Sequence, residues 1–215
     1  MSSSSLSLSL ITRATPRIPR WKRLLDLSVA SALVLGAWPL FLLIAAAVRV
    51  SSPGPVFIVQ TRIGLGGEPF RMMKFRSMYA DAERRRAEVA ALSDREGICL
   101  KVRNDPRITP VGRLLRRWSL DELPQLLNVL AGDMSLVGPR PALPEEVVLY
   151  PSDAHRRHAV PPGITGLWQV SGRADIGFSD MIALDLDYAQ RASLVLDLSI
   201  LLRTFRAVTD GRGAY

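Results

Sequence analysis

The chain has 215 residues, a formal net charge of +8 and a single cysteine, Cys99. Its 48% hydrophobic and 22% charged residues exclude a wholly disordered chain, and one cysteine excludes an internal disulfide. The basic surplus favours anionic partners such as nucleic acid, acidic lipid headgroups or phosphorylated substrates, while His155 and His158 alone are too few for a histidine-based zinc site.

The first 50 residues divide into an arm and an apolar segment. Residues 1–20, MSSSSLSLSLITRATPRIPR, are rich in serine and then basic, which is typical of a disordered arm, with a transit peptide as the alternative. Residues 21–50 follow, and from Leu27 to Val48 they carry no charge over about 22 positions, enough to cross a bilayer. A membrane helix is therefore predicted over residues 21–50.

Two features of this segment leave its topology open. Pro39 removes a backbone hydrogen bond and its ring collides with the carbonyl of Leu35, which predicts a kink or break there. Positive charge marks the cytoplasmic side of a membrane segment, and here basic residues precede and follow the apolar run. The residues allow a spanning helix or a re-entrant helix broken at Pro39, each leg of which reaches about one leaflet. The basic residues nearest to the run are Arg20, Lys22 and Arg23 before it and Arg49 after it.

The rest of the chain predicts an α+β, mostly helical fold without internal repeats. Residues 56–63 and 69–76 read as two strands of a hairpin joined by a glycine-rich turn, with Lys74 and Arg76 on one strand face. The amphipathic helix predicted at residues 109–118 has a basic side and a Leu/Trp side, which suits a membrane interface or an ordinary surface helix. Further helices are predicted at residues 80–92, 121–131, 144–150, 179–191 and 194–208.

An acidic pair, Asp121 and Glu122, lies in the stretch WSLDELPQLLN. Pro124 fits the first turn of a helix, and Ser119 and Glu122 have the S-x-x-E spacing of a capping box. This places the predicted helix start near Ser119–Asp121. The two acids then have either a purely structural role, complementing the helix dipole, or a chemical one.

Nearby cations favour the chemical role. Arg116 precedes the pair, and Arg140 is held between two prolines that restrict the backbone, presenting a planar fork suited to phosphate; the alternative is a surface arginine in a proline-rich loop. Lys74 and Arg76 add further cations. Cations, two carboxylates and a helix N-terminus together indicate phosphoryl chemistry, in which one carboxylate holds Mg²⁺ and the other attacks phosphorus.

The order of several motifs resembles the bacterial sugar transferase family, the monotopic phosphoglycosyl transferases. The resemblance covers residues 21–208 and is carried by KRLLDL, SPGPVFIVQTRIG, KFRSM, NDPRITPVGRLLRRWSLDELPQLLNVLAGDMSLVGPRPA, PGITGLWQVSGR and DLDYAQRASLVLDLSILLRT. It implies transfer of a sugar-1-phosphate from a UDP-sugar to polyprenyl (undecaprenyl) phosphate with release of UMP, the initiating step of bacterial polysaccharide or glycoconjugate biosynthesis. It also implies a re-entrant helix at residues 21–50 and a catalytic domain at residues 51–215 on the cytoplasmic face of the inner membrane.

The resemblance also assigns residues. It implies that Asp121 is the nucleophile, that Glu122 binds Mg²⁺, and that Lys74, Arg116 and Arg140 contact phosphate or nucleotide. Asp185 and Tyr188 match the family's D-x-x-Y, with a structural hydrogen bond as the alternative.

The expected partners are a UDP-sugar, polyprenyl phosphate and membrane lipid. A nucleic-acid partner is not expected, because the sequence has no aromatic stacking platform or known nucleic-acid module. A membrane-anchored binding protein with an inactive site is a further alternative. The sequence leaves the sugar, the pathway and the oligomeric state open, and a homodimer is one assembly that it allows.

Overall fold

A computed structural model of the chain describes residues 18–85, Val89, Val102, 105–172 and 176–209. Most of the predicted N-terminal arm therefore lies outside the described residues. Of the helix predicted at residues 80–92, the first six residues form turns, and the remainder, apart from Val89, also lies outside them.

The predicted membrane segment forms one long helix, α1, over Arg20–Ser51, with Pro39 inside it. Its 32 residues correspond to a length of about 48 Å. The predicted break at Pro39 is not confirmed, because the helix continues through this position. A proline inside a helix removes a single donor, and the neighbouring turns of α1 keep theirs. Among the described residues, α1 is the one helix long and apolar enough to cross a membrane.

The predicted hairpin is confirmed. Strand β1 (Phe57–Ile63) pairs antiparallel with β2 (Pro69–Phe75), with Ile58 opposite Lys74. The glycine-rich connection turns through two left-handed residues, Gly66 at φ 68° and Gly67 at φ 82°.

The helices agree with the sequence in part. Helix α2 spans Pro110–Arg117, and the Thr109 hydroxyl caps it by accepting from the Gly112 N–H at 2.9 Å. Helix α3 begins at Gln125, four residues later than predicted, because residues 120–122 form a separate 3₁₀ turn. The helix predicted at residues 144–150 is confined to Pro144–Val147, which is α4. The bounds of the remaining helices are Gln125–Ala131 for α3, Pro144–Val147 for α4, Phe178–Arg191 for α5 and Leu194–Thr209 for α6.

A short parallel pair of strands, β3 (Ser135–Val137) and β4 (Gly163–Thr165), was not predicted. Three residues per strand are too few to show a sequence periodicity. Together with α3 and α5, this pair surrounds the main core, in which Val129, Val137 and Tyr188 are fully buried.

Both ends of α1 pack against this same domain. Near the N-terminal end, Lys22 is buried and its Nζ donates to Asp197 Oδ2 at 2.6 Å and to Val137 O at 2.8 Å. Near the C-terminal end, Val48 packs in a second cluster with Phe75 and Leu115. The middle of α1 instead exposes its apolar side chains; Leu35, for example, is 74% exposed. Among the described residues, the helix therefore exposes much of its central apolar surface, while both of its ends are packed against the rest of the fold.

Candidate active site

The acidic pair lies in a tight turn between α2 and α3. Among the described residues, Ser119 is the one non-glycine residue with a positive φ (54°), and it redirects the chain from α2 into the 3₁₀ turn of Leu120–Glu122. The predicted capping box is wrong, because the Ser119 side chain makes no capping hydrogen bond. An N-cap residue normally has an extended backbone, whereas Ser119 is left-handed. The acids precede α3 and are not part of it.

Glu122 is the electrostatic centre of the turn. Its Oε1 accepts a hydrogen bond from Lys74 Nζ at 2.8 Å and lies 3.6 Å from Arg140 Nη1. Burial by itself would raise the pKa of Glu122, but Lys74 and Arg140 outweigh burial and hold that pKa at about 2. Glu122 is therefore an anion at every physiological pH, and it joins β2 to the segment that carries Arg140.

Asp121 experiences the opposite balance. Its side chain is buried, with 7% of the residue exposed, and burial raises its pKa above the ordinary aspartate value. Lys74 and Arg116 oppose the rise, whereas the adjacent Glu122 adds to it. Arg116 is itself oriented by a bond from its Nε to Ser77 Oγ at 3.0 Å. The two neighbouring carboxylates thus have pKa values pushed apart, a pattern associated with separate roles in acid–base and nucleophilic chemistry.

A cleft opens beside the pair, and a basic residue is presented at its edge. The Arg140 side chain is 40% exposed, so it can reach a ligand in the cleft while remaining close to Glu122. Asp121 does not line the cleft in this conformation. The residues that do line it are Met72, Lys74, Glu122, Gln125, Arg140, Pro141, Gly163 and Ile164.

Close backbone packing fixes the loop that carries Arg140. A Cβ atom added to Gly138 would lie 2.3 Å from Pro161 O, and one added to Gly163 would lie 2.1 Å from Gly138 N. Only glycine allows the VGPRPA and PPGITG loops to approach this closely. The two glycine-containing motifs noted in the sequence therefore form one wall of the cleft.

Three of the predicted site residues lie elsewhere. Arg76 is buried and donates to the carbonyl oxygens of Ser52 and Pro53, so it attaches the end of α1 to the hairpin. Asp185 is buried and paired with Arg157. Tyr188 is buried; its hydroxyl accepts from Lys22 Nζ at 3.0 Å and donates to Asp197 Oδ1 at 2.7 Å. These contacts favour the structural alternative for Asp185 and Tyr188.

The structure also adds residues that sequence reasoning missed. Gln125 lines the cleft. It follows Glu122 by three residues, about one helical turn, so the motif LDELPQ could have indicated that both side chains face the same site. Arg62 and Arg157 lie behind the Arg140 loop and donate to its backbone carbonyls. No local sequence pattern predicts contacts with a loop that lies 79 and 17 residues away.

The residues present suit a magnesium ion shared with a substrate rather than a complete protein cage. No group of three or more His, Cys, Asp or Glu side chains that could hold a metal occurs in the part of the chain that the structure describes. Mg²⁺ commonly binds through one or two carboxylates and takes its remaining ligands from substrate phosphates and water. Glu122 lines the cleft and provides one such carboxylate.

Comparison with known proteins identifies relatives along nearly the whole chain. Residues 18–211 match a family model described as bacterial sugar transferase. The chain is 44% identical over 198 residues to the exopolysaccharide production protein ExoY of Rhizobium meliloti (strain 1021), covering 90% of this chain and 88% of the relative. It is 43% identical over 202 residues to a UDP-glucose:undecaprenyl-phosphate glucose-1-phosphate transferase of Caulobacter vibrioides, covering 90% of this chain and 72% of that protein. The enzyme of the same name from Xanthomonas campestris pv. campestris is 44% identical over 204 residues, but this chain covers 40% of its length.

Proposed function

Because the chain belongs to the bacterial sugar transferase family, we propose that it transfers a sugar-1-phosphate from a UDP-sugar to undecaprenyl phosphate and releases UMP. The observation that carries the proposal is the contact of Glu122 with Lys74 and Arg140 in a cleft beside Asp121. Relatives with 43% and 44% identity are named for the same transfer from UDP-glucose.

The proposed reaction has two displacements at one phosphorus atom. An Asp121 carboxylate oxygen attacks the β-phosphorus of the UDP-sugar, the bond from that phosphorus to the bridging oxygen breaks, and UMP leaves with the bond's electron pair. Asp121 then carries the sugar phosphate as a mixed anhydride. A phosphate oxygen of undecaprenyl phosphate attacks the same phosphorus and releases the carboxylate. One phosphoanhydride is broken and one is formed, so no ATP is consumed.

The cations of the site meet the main electrostatic difficulty of this reaction. A carboxylate that approaches a diphosphate meets like charge, and fixed cations in a partly buried site reduce this repulsion. Lys74 and Arg140 flank Glu122, and Arg116 is close enough to influence the pKa of Asp121. These three side chains are proposed to bind the diphosphate oxygens and to stabilise the charge that builds up on the leaving UMP.

Glu122 is proposed to be the protein ligand of Mg²⁺, together with the donor's phosphates. When bound, the ion supplies further neutralisation of the diphosphate charge. The low pKa of Glu122 keeps the side chain ionised and available as a ligand. Lys74 is then free to move its bond from Glu122 to a phosphate oxygen of the donor.

Donor binding is also proposed to uncover the nucleophile. Asp121 is buried and does not line the cleft, so a small movement of the turn at residues 119–122 must precede attack. Burial has a chemical benefit in the meantime, because a carboxylate with a raised pKa is less stabilised as an anion and a better nucleophile.

A re-entrant arrangement of α1 at the cytoplasmic face of the inner membrane, which would require the helix to bend at Pro39 in the bilayer, completes the proposal. Support comes from the two ends of α1, since Lys22 and Val48 both pack against the same domain while the central apolar surface is exposed. A helix that crossed the membrane would hold one of these ends on the opposite side. The arrangement brings Asp121 to the level of the lipid headgroups, where the phosphate of undecaprenyl phosphate lies.

The test is UMP release by Asp121→Asn. The variant is expected to lose activity towards whichever donor of a UDP-sugar panel, including UDP-glucose and UDP-galactose, the wild-type enzyme uses. Asp153→Asn, at an exposed position, is the matched control and is expected to retain wild-type turnover. Normal turnover by purified Asp121→Asn, free of wild-type enzyme, would exclude Asp121 as the nucleophile.

A further inference from the structure

The segment Pro139–Pro141, which carries Arg140 at its centre, has all three of its carbonyl oxygens engaged. Pro139 O accepts from the Gly163 N–H at 2.9 Å. Arg140 O accepts from Arg157 Nη2 at 2.8 Å, and Pro141 O accepts from Arg62 Nη1 at 3.0 Å. Two of the three donors are therefore guanidinium groups from distant parts of the chain.

This pattern compensates for what the prolines remove. Neither Pro139 nor Pro141 has a backbone N–H, so the segment cannot be held by an ordinary ladder of backbone bonds. Its carbonyls are its main attachment points, and a buried carbonyl without a donor would be costly. The backbone position of Arg140 consequently depends on the side chains that donate to these carbonyls.

We propose that Arg62 and Arg157 are positioning residues that hold the backbone of Pro139–Pro141, so that the Arg140 guanidinium faces Glu122 and the diphosphate of the donor. The inference rests on the proposed function for its chemical consequence. Neither residue contacts the substrate in this account; both act through Arg140.

Arg157 is rigidly held for this task. It is 1% exposed, its Nη1 donates to the Tyr150 hydroxyl at 2.7 Å, and its Nη2 is paired with the Asp185 carboxylate. Since the same Nη2 donates to Arg140 O, Asp185 fixes the group that fixes the loop. This gives Asp185 an indirect part in the site, although it lies outside the cleft.

Arg62 holds the other side of the segment. It lies in β1, is 7% exposed, and its Nη2 and Nε are oriented by Gln60 Oε1 at 2.7 and 3.1 Å. Burial, and next the nearby charge of Arg140, lower the pKa of Arg62 to about 10. The guanidinium groups of Arg62 and Arg140 repel each other and would move apart if the loop were free. The hydrogen bonds to the backbone of Pro139–Pro141 prevent this movement and keep Arg140 at the edge of the cleft.

The experiment is a double-mutant cycle with Arg157→Lys and Arg140→Ala, measured as kcat/KM for UMP release by the full-length enzyme in lipid nanodiscs. A lysine keeps the charge beside Asp185, but its single nitrogen cannot reproduce the fork that serves three acceptors. In the wild-type background we expect kcat/KM to fall about 10- to 100-fold. In the Arg140→Ala background, where there is nothing left to position, the further loss should be under about twofold.

A second readout does not depend on activity. Amide hydrogen exchange in residues 138–142, reported by the backbone N–H groups of Gly138, Arg140 and Ala142, should become faster in Arg157→Lys, whereas that of β2 should remain at the wild-type rate. The matched control is Arg76→Lys, which also weakens a buried arginine that donates to backbone carbonyls but at the end of α1. Its effect on kcat/KM should be equal in both backgrounds, and it should not change exchange at residues 138–142.

The outcomes separate the two proposals. An equal loss on Arg157→Lys with and without Arg140, or unchanged exchange at residues 138–142, would overturn the positioning role. If Arg157→Lys does not fold, Arg62→Lys in the same cycle and exchange measurement decides the matter by the same criteria. If Arg140→Ala itself leaves UMP release unchanged, the phosphate role of Arg140 in the proposed function is wrong, while the exchange result still tests the anchoring of the segment.

Discussion

Lys74 and Glu122 form a 2.8 Å ion pair that joins the β-hairpin to the acidic turn. Lys74 reaches this position because β2 pairs with β1 and places it on the inward side of the sheet, beside Met72 in the cleft. The pair sets the charge of the site before any substrate arrives. The pair neutralises the Glu122 carboxylate, whereas burial keeps the pKa of Asp121 above the ordinary aspartate value.

Lys74→Met is therefore expected to lower kcat/KM for UMP release by about 100-fold or more, the scale observed when one preorganised donor is removed from a site of developing charge. Arg71→Met is the matched control, because Arg71 lies on the same strand but is exposed. If Lys74→Met retained activity within about threefold of the wild type, the proposed role of Lys74 in binding the donor phosphates would be wrong.

The left-handed conformation of Ser119 makes a prediction about stability. An L-residue with a side chain pays about 1–2 kcal/mol in this region, and a β-branched residue fits it worst. Ser119→Gly should unfold at the same temperature as wild type or slightly higher, whereas Ser119→Val should be destabilised by about 2 kcal/mol and should lose activity because the turn at Asp121 shifts. Thermal unfolding of the two variants measures the difference. Equal stability of the valine and glycine variants would show that this backbone conformation is absent in solution.

The packing of both ends of α1 predicts the membrane topology. In a Cys99→Ser background, single cysteines at Leu10 and Glu68 should react with a membrane-impermeant maleimide only when the cytoplasmic face is accessible. Inside-out and right-side-out vesicles provide the comparison. Labelling of the two positions from opposite faces would establish a spanning helix and exclude the re-entrant arrangement.

His158 predicts how stability changes with pH. Burial, followed by the charges of Arg157 and His155, lowers the pKa of His158 to about 4, whereas an unfolded histidine titrates near about 6.5. Between these values the unfolded chain binds a proton that the folded chain does not, so the free energy of unfolding falls as the pH drops from about 6.5 towards about 4.

Replacement of the His158 side chain should remove its contribution to the pH dependence of the free energy of unfolding. The unfolding temperature of His158→Leu is expected to fall less between pH 7 and pH 5 than that of the wild type. His155→Leu, at an exposed position, is the control; it removes only the smallest of these three causes of the pKa shift and should follow the wild-type profile more closely. An unchanged pH slope in His158→Leu would mean that the imidazole is not buried as described.

The sequence predicted the elements that have a clear period and clear ends. The hairpin and helices α5 and α6 lie within one residue or so of their predicted bounds, because alternation and helical periodicity extend over seven or more residues. The site could be predicted where it depends on local chemistry. Lys74, Glu122 and Arg140 do meet at one cleft.

Other features depend on long-range contacts that a linear pattern cannot reveal. Ser119 lacks a sequence signature for its left-handed conformation, so a capping box was a reasonable but wrong prediction. Lys22 and Asp197 are separated by 175 residues, yet they form a buried pair at 2.6 Å. Arg76 was predicted to be on the phosphate face by strand alternation, but β2 ends at Phe75, and beyond that point the alternation no longer applies.

The covalent mechanism is tested most directly by the mass of the peptide that contains Asp121, measured after the enzyme has been incubated with its donor sugar nucleotide in the absence of acceptor lipid. We expect this peptide to gain the mass of one sugar phosphate, UMP to be released in equal amount, and addition of undecaprenyl phosphate to remove the added mass. Asp121→Asn should show neither event. Rapid turnover with acceptor present, but without added mass on any peptide when donor alone is supplied, would contradict a covalent intermediate and favour direct transfer between the two substrates.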